Sequence, residues 1–309
     1  MSALNYSRLS RKPQLFRSFT GLDVSEFDDT YRKIESRYDE YERKRLSKGR
    51  KRRERDVGAG HPFKLRVKDR VLMLLVYYRL YITYPLAGFL FDLDQSNVYR
   101  DIHMLEPLVK KCIPLPKKLY KIARRARTIE EVEAYFPGFR AFIDASEQEI
   151  PRPKDKRRRK SYYSGKKKKH TVKTQYMVNG DGLILHKTGH DKGRKHDYAL
   201  FKDKHPETPP DVEKYVDLGY KGVQKDFPER KWVIPVKKRR KRNLTRRERR
   251  YNRKIARKRV IVEHAISRVK KFNIMGNRFR NRLKHYDNAS DIVCGLVNLR
   301  TMRNKGIML

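Results

Sequence analysis

Cysteine is scarce in this chain. The two present, Cys112 and Cys294, lie far apart and in no ligand or redox spacing. That excludes a zinc ribbon, a dithiol motif and a disulfide scaffold, and reads as a reduced, intracellular protein. Acidic residues are also few: 36 Asp and Glu face 79 Lys and Arg, a net charge of +43 over 309 residues. A long uninterrupted apolar run is missing too. The nearest approach, Val71 to Phe91, carries Arg79 near its centre and Pro85 beyond it, whereas a spanning helix needs about 20 apolar residues. Two short packed helices fit that segment better. The opening SALNYSRLSRKPQ has no apolar core, so no secretory leader is expected.

What is present is positive charge. A pI near 10.3 makes a polyanion the natural partner. The basic residues recur along the whole chain instead of forming one amphipathic anchor, which favours nucleic acid over a membrane surface. Hydrophobic residues, at 38%, still suffice for a core, and the length fits two domains or one with extensions.

The apolar pattern divides the chain. A single stripe of Phe27, Tyr31, Ile34, Tyr38 and Tyr41 predicts a helix from about Ser25 to Arg50. It runs into KRLSKGRKRRERD, read as a flexible arm or linker, and a break at Gly58–Pro62. Residues 1–60 are therefore expected to be a helical, basic arm. Three helices follow, over Leu65–Tyr81, Tyr84–Phe91 and Gln95–Lys111, with Asp92–Asp94 as a tight turn and Ser96 as N-cap. This is a helix-turn-helix pattern within residues 61–125. Its third helix would offer Ser96, Asn97, Tyr99 and Arg100 to DNA; the plainer alternative is a small bundle that touches no groove.

Past a connecting segment around Pro114–Pro137 the period changes to that of strands. Phe142–Ile150, Thr171–Val178 and Leu183–Thr188 are expected strands, the last two joined by a turn at Asn179–Gly182. A helical piece at Tyr198–Asp203 precedes strands at Lys214–Asp217 and Trp232–Val236, and helices cover about Thr245–Phe272 and Ala289–Met302. Residues 138–309 thus read as an α/β domain with a mixed sheet.

Three acids stand out in it. Asp144 lies within the first strand, Asp217 closes the fourth, and Glu263 sits in the long helix. A lone carboxylate in an apolar or strongly basic stretch is costly without a cation. Two strand carboxylates and one helical carboxylate can converge at a sheet edge and hold two divalent cations roughly 3.5–4 Å apart. Oxygen ligands select Mg²⁺ or Mn²⁺. At 100° per residue, Arg259 and Lys270 fall within about 40° of Glu263 on the helix surface, beside the apolar face of Ile255, Val262, Ile266 and Val269. An ordinary surface ion pair explains Glu263 taken alone; with the two aspartates a metal-dependent phosphodiesterase site explains more.

The order Asp144, Asp217, Glu263, framed as R-x3-E-x6-K by Arg259 and Lys270, resembles the DDE transposases of prokaryotic insertion sequences, above all their insertion-sequence-five-like branch. YYSGKKKKHTVKTQ (Tyr162–Gln175), the His196-Asp197 pair followed by Phe201, and DLGYKG (Asp217–Gly222) add to the likeness. It covers Phe142 to about Arg303. Ala256 stands where the family pattern usually has a tyrosine, three residues before the arginine. The resemblance implies a ribonuclease H-like fold, two Mg²⁺ ions (Mn²⁺ substituting) held by Asp144, Asp217 and Glu263, cleavage at element ends, and joining of the freed 3′ ends to target DNA. It implies supporting roles for Arg259 and Lys270, duplex DNA as partner (terminal repeats and target), a homodimer when two ends are held, and a place at the prokaryotic nucleoid. A catalytically inactive DNA binder or repressor with this fold, or a basic RNA-binding protein, are the rivals.

Other residues are expected to do structural work. Glu147 and Glu149, taken to lie on the Asp144 side of the strand, read as exposed strand residues rather than aids to the site. Glu248 pairs with Thr245 in a capping box. Asp197 caps the helix after it, and Asp181 belongs to a turn. His190 and His196 read as surface or DNA-facing groups, with His264 a helix neighbour. Two charge runs flank the acids: Lys154–Lys169, and Lys237–Arg259 with 15 Lys or Arg in 23 residues. From the first, Tyr162 and Tyr163 could stack on unpaired bases, while Lys166, Lys167, Lys168 and Lys169 neutralise phosphates.

Overall fold

The computed structural model describes residues 2–47, 62–125, 128, 130–131, 133, 139–240 and 242–307. Most of the expected linker after Arg45, all but the last residue of the Gly58–Pro62 break, and part of the Pro114–Pro137 connection lie outside the described residues. The chain forms two compact units, Met1–Ile113 with Phe272–Ile274, and Pro114–Lys271 with Met275–Leu309.

The first unit is helical: α1 (Tyr6–Leu9), α2 (Pro13–Thr20), α3 (Val24–Ser47), α4 (Val67–Leu80), α5 (Tyr84–Phe91) and α6 (Gln95–Cys112). Helix α4 is its centre. Every residue from Arg70 to Tyr78 is buried, so the helix is apolar on all sides rather than along one stripe. That explains the membrane-like run in the sequence; among the described residues no helix is long and apolar enough to cross a membrane. Arg70 is tolerated inside because both nitrogens of its fork reach Asp101 on α6 at 3.1 Å, while a third donates to the Tyr38 hydroxyl at 2.7 Å.

Helices α5 and α6 pack together around the expected acidic turn. Thr83 caps α5. A Cβ on Gly88 would lie 2.4 Å from the Leu93 carbonyl, so the close approach of the two helices requires glycine there. Asp94, not Ser96, caps α6: its carboxylate accepts the Ser96 amide hydrogen at 2.7 Å. Ser96 falls one residue inside the helix, where aspartate two positions earlier has already met the free amide.

The second unit begins with α7 (Pro116–Arg125) and is built on a seven-stranded sheet. Its strands are β1 (Ala141–Glu149), β2 (Tyr163–Ser164), β3 (Lys169–Val178), β4 (Ile184–Lys187), β5 (Asp191–Lys192), β6 (Lys214–Tyr215) and β7 (Trp232–Val233). The main order is β2-β3-β1-β6-β7, with β4 and β5 pairing with β3. The β1–β3 and β3–β4 pairs are antiparallel, and β1–β6 and β6–β7 are parallel. The β3–β4 turn forms as its sequence indicates: the Asn179 side chain accepts from the amides of Asp181 and Leu183 at 3.1 and 2.9 Å.

Helices α8 (Lys156–Tyr162), α9 (Asp197–Lys204), α10 (Val223–Asp226), α11 (Arg246–Lys270) and α12 (Tyr286–Lys305) complete the unit. The basic run before Tyr162 thus folds into a helix that its charge pattern hides. Helix α11 packs on β1 and β3, and α12 packs on α11. It starts at the expected capping box, Thr245 and Glu248 each satisfying the other's backbone. One core layer joins Ile143, Met177, Leu185, Phe201, Val216 and Tyr220. Asn298 of α12 brackets the backbone of Ile184, accepting from its amide at 2.8 Å and donating to its carbonyl at 2.9 Å. It satisfies groups of a short strand that pairs only with β3.

Candidate active site

Parallel pairing sets Ala141 beside Lys214 and Phe142 beside Tyr215. Carried two residues past the end of β6, that register brings Asp217 level with Asp144, and the two carboxylates bear on each other electrostatically. Asp217 does not end a four-residue strand as expected. It follows the two-residue β6 and caps a 3-10 turn over Leu218–Tyr220, its Oδ1 accepting the Gly219 amide hydrogen at 2.8 Å. A Cβ at Gly219 would stand 2.9 Å from that oxygen. The glycine therefore lets the carboxylate lie back over its own turn.

Asp144 is half-buried, and its Oδ1 accepts the Ala145 amide hydrogen at 2.8 Å. Burial pushes its pKa up to about 6; the Arg259 guanidinium and the Ala145 amide pull it down, while Asp217 and Asp197 push it further up. Both effects of like charge and desolvation disfavour the anion. Arg259, on α11, keeps its Nε buried without a hydrogen-bond partner. Lys270, also on α11, is electrostatically coupled to Asp144, Glu147 and Lys167, with burial holding its pKa below the usual lysine range.

Glu263 is exposed on α11, the helix laid across β1 and β3. Among the described residues no group of three or more His, Cys, Asp and Glu stands close enough to hold a metal ion. The structure thus brings Asp144, Asp217, Asp197 and Arg259 into one electrostatic neighbourhood, and puts Glu263 on the adjoining helix. The donor set, carboxylate oxygens alone, has the chemistry of a hard divalent cation. Burial is the main cost to the Asp144 anion, and Asp217 and Asp197 add to it against the pull of Arg259, a cost that a cation between the carboxylates would offset.

Several smaller expectations change. Strand alternation puts Glu147 and Glu149 on the face opposite to Asp144. Glu147 is not exposed: its side chain keeps 9% exposure, accepts from the Thr171 hydroxyl at 2.8 Å and pairs with Lys173 at 3.5 Å. Asp197 does not cap α9. His196 does, its Nδ1 accepting the Tyr198 amide hydrogen at 3.3 Å, and it stays exposed at the surface while doing so. Asp197, in the first turn, instead pairs with Lys173 at 2.7 Å. His190 likewise is engaged, with Asp287 at 2.9 Å.

The strand β3 carries two residues whose roles sequence reasoning left unassigned. Lys173, buried, joins Glu147 to Asp197, and Gln175 donates to the Tyr220 hydroxyl at 2.6 Å. Tyr220 in turn feels Asp144, Asp197 and Asp217. Their signal was available: a lysine and a glutamine at alternate positions of a strand otherwise fit for burial need polar partners inside.

The other named positions are displayed. Ser96, Asn97, Tyr99 and Arg100 are exposed on the first turns of α6. Arg100 Nε donates to the Ser96 carbonyl at 3.2 Å, and the Tyr99 ring packs on Tyr84 and His103. Tyr163 and Lys166, Lys167, Lys168 and Lys169 are exposed at and after β2; Tyr162 is half-buried at the end of α8.

Comparison with known proteins gives two family matches along the chain. Residues 143–298 match the family model described as DDE superfamily endonuclease, and residues 63–115 match the helix-turn-helix of DDE superfamily endonuclease. A Microchaete diplosiphon protein described as a probable transposase for insertion sequence element IS702 is 32% identical over 239 residues, which cover 76% of this chain and 81% of that protein. No solved structure matches significantly. On the family match and on this relative, the chain belongs to the DDE superfamily endonucleases and carries that superfamily's helix-turn-helix ahead of the endonuclease region.

Proposed function

We propose that the protein is the transposase of a prokaryotic insertion sequence of the insertion-sequence-five-like branch. It binds the terminal repeats as a homodimer, hydrolyses a phosphodiester at each element end, and joins the freed 3′-hydroxyl to target DNA at the nucleoid. The observation that carries this reading is Asp144 on β1 electrostatically coupled to Asp217, in the turn after the parallel neighbour β6, with Arg259 and Glu263 on the helix laid across β1. The order β3-β1-β6-β7, antiparallel then parallel, supports a ribonuclease H-like sheet with the acids at its middle.

Asp144 and Asp217 would hold two Mg²⁺ ions, or Mn²⁺ in their place, with Glu263 as third carboxylate. When bound, the cations supply Lewis-acid activation of the attacking oxygen and neutralise charge on the leaving one. Around them the chain's own groups have distinct tasks. Asp144 is a competent ligand only when ionised, and in the metal-free protein burial, with Asp217 and Asp197 adding to it, resists that ionisation until a cation offsets it. The Arg259 guanidinium balances the Asp144 charge from α11. Lys270 balances the Asp144 charge from the same helix face. Lys173 ties Asp197 to Glu147, and Gln175 holds the Tyr220 hydroxyl; together they fix the turn that carries Asp217. Ser96, Asn97, Tyr99 and Arg100 read the duplex from α6, and Tyr162, Tyr163 and Lys166–Lys169 contact DNA from the second unit.

The test is Mg²⁺-dependent nicking of a supercoiled plasmid carrying the terminal repeats, followed by strand transfer. Asp144→Asn, Asp217→Asn and Glu263→Gln should each abolish both while duplex binding survives. Undiminished nicking by Asp144→Asn would refute the assignment.

A further inference from the structure

Helix α8 and the β2–β3 hairpin border an open groove of about 870 Å³. Arg152, Lys156, Arg159, Lys160 and Arg194 line it, Tyr163 forms part of its wall, and no acid is among its lining residues. Five cations gathered without a carboxylate repel one another, and a phosphate group brings at most about two negative charges. A single phosphate therefore leaves the site unbalanced, and a run of phosphates balances it.

Two details identify the form of that polyanion. The Arg159 Nε is buried with no hydrogen-bond partner, an unmade donor within the wall that a phosphate oxygen would satisfy. Tyr163 keeps 43% exposure while its ring packs edge-on to His170, centroids 5.6 Å apart. An exposed aromatic ring among phosphate-binding groups is a platform for a base, and only an unpaired base offers its face. A duplex hides those faces.

The groove also has a direction. His170 lies in the wall, and Tyr176 on the same strand is the partner of Asp144; six residues of strand separate them by about 20 Å. Lys167, in the turn after β2, is coupled to Lys270, which is coupled to Asp144. Positive charge thus continues from the groove toward the aspartates.

We propose that this groove binds the phosphate backbone of an unpaired DNA strand, with a base stacked on Tyr163, and so holds single-stranded DNA about 20 Å from the reacting phosphodiester. It deepens the transposase reading and rests on it for the identity of the strand, but the binding itself needs neither metal nor cleavage.

Fluorescence anisotropy of the full chain in EDTA tests it, with a fluorescein-labelled 15-mer of thymidylate against a 15-base-pair duplex lacking terminal repeats. Tyr163→Ala should weaken the single strand about tenfold relative to the duplex, and Tyr163→Phe should restore it. With five phosphate contacts the single-strand log–log salt slope should be near −3.5, and Arg159→Ala with Arg194→Ala should bring it to about −2. Equal losses on both nucleic acids, or an unchanged slope and affinity, would overturn the proposal; a thermal melt of each variant separates this from misfolding. Should the groove variants behave as expected while the wild type never nicks a plasmid, the catalytic reading fails and the groove stands.

Discussion

In the helical unit the buried Arg70 is answered by Asp101 with two 3.1 Å bonds, and the buried Tyr78 hydroxyl by Glu106 at 2.7 Å. In the sheet unit Asp144 has a raised pKa with two more aspartates bearing on it, and the nearby Arg259 Nε and Gln175 Oε1 are buried with no partner. Both regions pair buried charge, Arg70 with Asp101 in the first and Lys173 with Glu147 and Asp197 in the second, but around Asp144 the second leaves buried donors and acceptors unanswered. Paired interior charge specifies how helices meet. Unpaired charge next to an opening costs stability and is retained where a ligand completes it.

Variants can break or sharpen that contrast. The largest expected effect is on chemistry: Asp144→Asn should reduce plasmid nicking on the order of 10³-fold, by gel assay of nicked product. The same change should stabilise the metal-free protein. A carboxyl whose folded pKa is about 6, above its unfolded value, holds its proton more tightly in the native state between roughly pH 4 and 6. Stability therefore falls as pH rises through that window, and above it the whole penalty is present. Asp144→Asn should gain about 1–3 kcal/mol in EDTA at pH 7 and nothing below about pH 4, by urea melts. A loss at pH 7 would erase the contrast between the units.

In the helical unit the sign reverses. Asp101→Ala strands a buried guanidinium and should cost about 3–5 kcal/mol, read by thermal or urea unfolding. Next in size, Asn97→Ala or Arg100→Ala should each cost about 1–3 kcal/mol of terminal-repeat affinity without moving the melt, since both side chains are exposed; competition with unrelated duplex measures it. The smallest effect is Thr245→Ala, which removes half of the capping box and should lower stability by about 1 kcal/mol.

Much of the fold was legible wherever one period dominates. Tyr84–Phe91 and the long helix after Thr245 emerge near their expected bounds, because capping residues and apolar spacing agree there. Strands β1 and β3 emerge for the same reason. The short β6 and β7 start where expected, at Lys214 and Trp232, but stop after two residues, since strands this short are bounded by their neighbours rather than by an alternation of their own. Helix α8 was missed because a run of like charge carries no apolar stripe. The site was legible as residue types but not as arrangement. Nothing local tells that β6 runs parallel to β1 and so seats Asp217 beside Asp144. Nor does it reveal that Asp197 leaves capping to His196 and spends its charge on Lys173. The placement of Glu147 was a matter of counting: three residues along a strand reverse the face, and its partner Lys173 lies on that other side.

Helix α11 runs 25 residues, about 37 Å, yet its first nine, Arg246–Lys254, bury nothing, and its apolar contacts begin at Ile255. It behaves as a beam clamped at one end, with Asn252 latched to the backbone of Val236 as a midway bracket. The free end gathers arginines at the positive pole of the helix, where they repel both that pole and each other. That repulsion falls on one helix with Arg259 and Glu263, which ride on its clamped half.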